Sequence, residues 1–125
     1  MNALVLFVCT GNVCRSPMAA ALLRKALPAD SPWRAVSAGL SAFDGSPASE
    51  NAVKAASEVG CDLSAHRSKP LTDRLVRDSS VIITMTDEHM RQISARFPEA
   101  AGKLHLMLAF APEAAAPSQI TDPFC

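Results

Sequence analysis

Short apolar runs alternate along this chain with segments whose apolar residues recur at helical spacing. Residues 3–8 are continuously apolar (Ala-Leu-Val-Leu-Phe-Val). They read as a strand buried on both faces, as a parallel sheet requires. A polar loop with Gly11 and Asn12 follows. Ser16 and Pro17 then open a helix, since serine is a favoured N-cap and proline suits the first helical position. Met18, Leu22 and Ala26, with Leu23 and Leu27, form its apolar stripe, and Pro28 stops it. A second strand is expected over residues 33–38, ended by Gly39, with a loop over 39–47. Residues 48–59 read as a helix through Ala52, Ala55, Ala56 and Val59, with Gly60 as its stop. A short helix over 73–77 and a strand over 80–85 come next. Thr86 or Asp87 caps a helix that runs to Phe97 through Met90 and Ile93. A last strand covers 103–108, and the proline-bearing tail from Ala109 reads as a surface loop.

That alternation predicts an α/β fold: a doubly wound, four-stranded parallel sheet flanked by helices, in a single domain over residues 1–125. In such sheets ligands bind beyond the carboxyl ends of the strands. The rule points at the loop leaving the first strand at Cys9.

Composition narrows the classes. With 49% apolar residues in 125, the chain is expected to fold. Lys+Arg and Asp+Glu number 12 each, so neither a nucleic-acid partner nor an anionic membrane is expected. The longest apolar run, residues 3–9, is far below the roughly 20 residues of a membrane span and lacks a preceding cationic region. A cytoplasmic location is the default. The cysteines are Cys9, Cys14, Cys61 and Cys125. Without an export signal a structural disulfide framework is disfavoured. Their spacing, with His66, His89 and His105 scattered singly, also disfavours zinc. No metal and no cofactor are expected.

Cys9, Thr10, Gly11, Asn12, Val13, Cys14, Arg15, Ser16 and Pro17 carry the candidate chemistry. Cysteine and arginine flank five residues between a buried strand and a helix start. Gly11 lets the backbone curl so that successive N–H groups face inward as an anion nest, backed by the helix dipole. Arg15 offers a planar fork to two oxyanion oxygens. Cys9 sits at the bottom of this positive concavity, which favours an anionic sulfur, and Ser16 can donate a hydroxyl to it. A Walker loop is excluded, because no Gly-Lys-Ser/Thr follows the turn.

The segment resembles the signature loop of the low-molecular-weight protein tyrosine phosphatases. The resemblance extends in order through Ser37-Ala-Gly39, His66-Arg-Ser-Lys-Pro-Leu71, Ile83-Thr-Met-Thr86 and Asp122-Pro-Phe124. It implies metal-free hydrolysis of a phosphorylated protein substrate through a phosphocysteine. Cys9 is then the nucleophile. Arg15 and the loop amides of residues 10–15 hold the phosphate oxygens, and Asp122 is the general acid. Asn12 maintains the loop shape, bonded to Ser37, and Ser16 assists thiolate departure. Val13, Phe43 and Phe124 line the substrate pocket, with Asp44 nearby. Cys14 reads either as a small packed residue or as a redox thiol that captures oxidised Cys9. His66 matches a structural position, whereas His89 and His105 match no catalytic position and read as ordinary. Cys61 reads as a packed residue.

The chain departs from the family at its end. The resemblance implies a final helix, yet the sequence stops three residues past Asp122, at Cys125. Either the protein lacks this helix or the sequence is shortened, and its loss would leave the Asp122 loop weakly anchored. Val13 leans towards phosphotyrosine. The Met85-Thr86 and Pro123-Phe124 pairs resemble the protein-arginine-phosphatase branch, so phosphoarginine is the alternative. An arsenate reductase and a weakly active phosphate-binding module are further alternatives.

Overall fold

The computed structural model describes residues 3–107. The predicted tail loop, together with Asp122, Phe124 and Cys125, lies outside them. Strands β1 (Leu4–Cys9), β2 (Arg34–Gly39), β3 (Val81–Thr84) and β4 (Leu104–Leu106) alternate with helices α1 (Arg15–Ala26), α2 (Glu50–Glu58), α3 (Asp73–Asp78) and α4 (Asp87–Arg96). A 3-10 turn at Pro98–Ala100 precedes β4. The sheet order is β2-β1-β3-β4, every neighbouring pair parallel. The expected doubly wound parallel sheet is therefore present.

Two apolar layers cover its faces. On one, Phe7, Cys9, Ala35, Ile83 and Met85 meet Ala20 of α1. On the other, Leu6, Val8, Ala38 and Ile82 meet Val76 of α3, Ile93 of α4, Phe97 and Ala100. Alternation along β1 thus sends odd residues to α1 and even residues to α3 and α4. A third cluster joins α2 to α1 through Ala21, Ala52, Ala56, Cys61 and Leu63, with Cys14 among them.

Two details of α1 differ from expectation. Its buried residues are Ser16, Pro17, Ala20 and Ala21, while Leu22 is 44% exposed. The sheet takes the small face of the helix, so the large residues are displaced to its flanks, where Met18 and Leu23 are half-buried. Nor is Ser16 the N-cap. The helix begins at Arg15 with Cys14 in the cap position and no side-chain cap bond. The Ser16 hydroxyl is engaged elsewhere, with consequences described below. The other caps follow convention: Ser49, Thr72 and Thr86 accept from Ala52, Leu75 and His89 N–H.

Candidate active site

The turn between β1 and α1 is held from three sides. From the residues just after β2, Leu40 N–H donates to Cys9 O and Ser41 N–H to Thr10 O. From the start of α2, Ser49 N–H donates to Val13 O. Beneath the turn lies Gly39. A Cβ there would stand 2.6 Å from Thr10 O and 3.0 Å from Asn12 N, so only glycine fits that close approach.

Asn12 is the pivot. It adopts φ 57°, a left-handed conformation that asparagine tolerates better than most residues. It is fully buried, and each of its polar groups has a partner. Its Nδ2 donates to Ser16 Oγ at 2.9 Å. Its Oδ1 accepts from Lys69 N–H at 2.9 Å. Its carbonyl accepts from His66 Nε2 at 2.7 Å, which requires His66 to carry its proton on that nitrogen. The expected partner Ser37 is replaced by these groups. Ser37 lies on β2 in register with Phe7, two residues short of the strand end that supports the loop.

The Cys9 sulfur, 3% exposed, receives Asn12 N–H at 3.3 Å and lies 2.9 Å from Ser16 Oγ. Ser16 already accepts from Asn12, and a hydroxyl has one proton. Once the sulfur is a thiolate it can only accept, and that proton points to it. Two donors therefore converge on one sulfur, the arrangement that stabilises negative charge there. Arg15, half-buried, opens α1, whose first turn contains no acidic residue. The helix dipole at this terminus is thus available to an anion.

A family description, "Low molecular weight phosphotyrosine protein phosphatase", matches residues 4–125. The chain belongs to this family. A probable low molecular weight protein-tyrosine-phosphatase, EpsP of Ralstonia solanacearum, is 45% identical over 100 residues, covering 80% of this chain and 67% of that one. The YwlE arginine phosphatase of Geobacillus stearothermophilus superposes with a TM-score of 0.85 at 41% identity, covering 97% of this chain and 75% of its own. The tyrosine phosphatase Wzb of Escherichia coli K30, solved in complex with sulphate, gives 0.86 at 35% identity over 99% of this chain and 82% of its own.

In this phosphatase the loop brings Cys9, Thr10, Gly11, Asn12, Arg15 and Ser16 together at the carboxyl end of β1. Val13 is half-buried beside Cys14 and Met18. Phe43 is 83% exposed, in the segment after β2. Its carbonyl accepts from the Ser68 hydroxyl, which fastens that segment to the 66–71 strip. Cys14 is buried with the α2 cluster, its sulfur 2.9 Å from Ser49 Oγ. Cys9 is a free thiol, so no Cys9–Cys14 bridge is formed. Among the described residues no cluster of His, Cys, Asp or Glu could hold a metal ion, and no helix is long and apolar enough to cross a membrane.

Two features escaped the sequence. One is the demand for glycine at Gly39. The other is His89, which is 4% exposed and places Nε2 2.9 Å from Thr10 Oγ1. Burial, with a smaller contribution from the Arg15 charge, holds its pKa below the ordinary histidine value. Burial does the same to His66, partly offset by its bond to Asn12. The Thr86 cap was the available signal for His89, because it fixes which residue of the first turn faces the loop.

Proposed function

We propose that this phosphatase hydrolyses phosphotyrosine in protein substrates through a phosphocysteine on Cys9. The supporting observation is the pair of donors, Asn12 N–H and Ser16 O–H, aimed at the sulfur. The Cys9 thiolate attacks phosphorus as the bond to the tyrosine oxygen breaks. Asp122 protonates that oxygen. Water then attacks the phosphocysteine, Asp122 takes its proton, and the sulfur leaves as a thiolate with inorganic phosphate as product. Arg15 and the amides of residues 10–15 hold the non-bridging oxygens throughout. Residues 1–125 act here as one domain, with Val13, Phe43 and Phe124 as pocket walls and nucleic acid as no part of the substrate.

Asp122→Asn tests the acid. The rate of phosphocysteine formation, read from the burst, should fall steeply for phosphates with poor leaving groups and little for an activated aryl phosphate, whose phenolate leaves unaided. An equal loss on both would remove Asp122 from the mechanism.

Phosphoarginine is the second reading. It is favoured by 42% identity over 121 residues to a protein-arginine-phosphatase of Geobacillus stearothermophilus. Val13 argues against it, since a valine side chain offers no acceptor to a guanidinium.

A further inference from the structure

The register Val8↔Thr84 sets the end of β1 level with the end of β3. Thr10 is thereby brought beside the first turn of α4. Thr86 caps that turn by accepting His89 N–H at 3.2 Å, which fixes the histidine backbone. The ring is buried between α4 and the loop, and its Nε2 meets Thr10 Oγ1 at 2.9 Å. Nδ1 is buried with no hydrogen-bond partner. A buried N–H without a partner is rarer and more costly than an unused lone pair. The proton therefore belongs on Nε2, and the histidine donates to Thr10.

We propose that His89 is a positioning residue for the phosphate loop: its Nε2–H holds the Thr10 hydroxyl, and through it the first backbone amide after the nucleophile. The inference rests on the phosphatase reading above. Thr10 is the exposed residue of the turn and follows Cys9 directly. Its carbonyl is tied to Ser41 N–H and its side chain to His89, so the residue is fixed from both the segment after β2 and α4. Arg15 disfavours a charged imidazole in this place. The neutral ring supplies one donor without competing for the anion.

The test is a double-mutant cycle on an aryl phosphate, using His89→Leu, Thr10→Val and the pair, with His89→Gln as the conservative variant. Deleting an oxyanion donor outright costs about 10²–10³ in kcat, so one left in place but loosened should cost less. Each single variant should lower kcat about tenfold with little change in KM. The pair should lose no more than either alone, because both remove one interaction. His89→Gln places an amide N–H near the Nε2 position and should recover kcat to within about threefold of wild type. Additive losses, a wild-type kcat in His89→Leu, or a Gln variant as slow as Leu would overturn the proposal. Should His89→Leu not fold, Thr10→Val measured in the wild-type and His89→Gln backgrounds decides, and an unchanged kcat in both rejects the role. An inactive wild type that matches Cys9→Ser would instead overturn the phosphatase reading itself.

Discussion

Ser16 shows how much depends on one hydroxyl. It accepts from Asn12 and donates to Cys9, so Ser16→Ala removes a donor from the sulfur and leaves a buried amide unpaired. A hydrogen bond to a charged group is worth about 1.5–3 kcal/mol, or roughly tenfold or more in rate. The phosphocysteine breakdown step should slow by at least that factor, read from the burst and steady-state phases. Equal rates would deny the hydroxyl its role at the departing thiolate. Val13 governs substrate choice on the same scale. Val13→Thr adds an acceptor at nearly constant volume, so kcat/KM for a phosphoarginine peptide should rise about tenfold relative to a matched phosphotyrosine peptide. An unchanged ratio would shift the choice to Phe43, Phe124 and Asp122. The residue types of the loop were legible because the chemistry of an oxyanion demands them. The partners of Asn12 were not. Lys69 and His66 lie 57 and 54 residues away, and only the folded path of the 66–71 strip brings them in.

At the scale of elements, strands and helices followed from apolar periodicity, and Gly60, with φ +82°, ends α2 as expected. The buried face of α1 did not follow. A helical stripe of large residues looks like a core face, but Ala20 and Ala21 face inward, where little space separates helix from sheet. The Ser16 cap failed for a related reason, since the hydroxyl serves the sulfur rather than the helix end. Gly39 carries a sharper consequence. A methyl group there would stand 2.6 Å from Thr10 O and 2.8 Å from Ala42 Cβ. Overpacking of this kind typically costs about 1–3 kcal/mol, and here the backbone that must move is the phosphate loop. Gly39→Ala should lower Tm and cut kcat together, as read by calorimetry and aryl phosphate turnover. A full-rate Gly39→Ala variant would show that the loop tolerates displacement.

Over the whole molecule, the parallel topology and the position of the site at the strand ends were legible, because alternating elements admit few arrangements. The pairing of Thr10 with His89 across 79 residues was not, since it depends on the β1–β3 register. That pairing and His66 also set a pH response. Both histidines have pKa values below the ordinary 6.5 in the folded state. Between those values and 6.5 the unfolded chain binds more protons, so stability is full above pH 6.5 and is lost as pH falls through the folded values. Tm should decline on acidification below pH 6.5, and His89→Gln should flatten part of that decline. A Tm independent of pH in that window would contradict the buried neutral rings. The central claim is that Cys9 carries the phosphoryl group. Its most direct test is rapid acid quench of the wild-type enzyme during turnover of an aryl phosphate, followed by peptide mass spectrometry. A phosphoryl adduct on Cys9, formed at the burst rate and absent from Cys9→Ser, is the predicted result. Turnover without such an adduct, or oxyanion binding with no turnover at all, would contradict it.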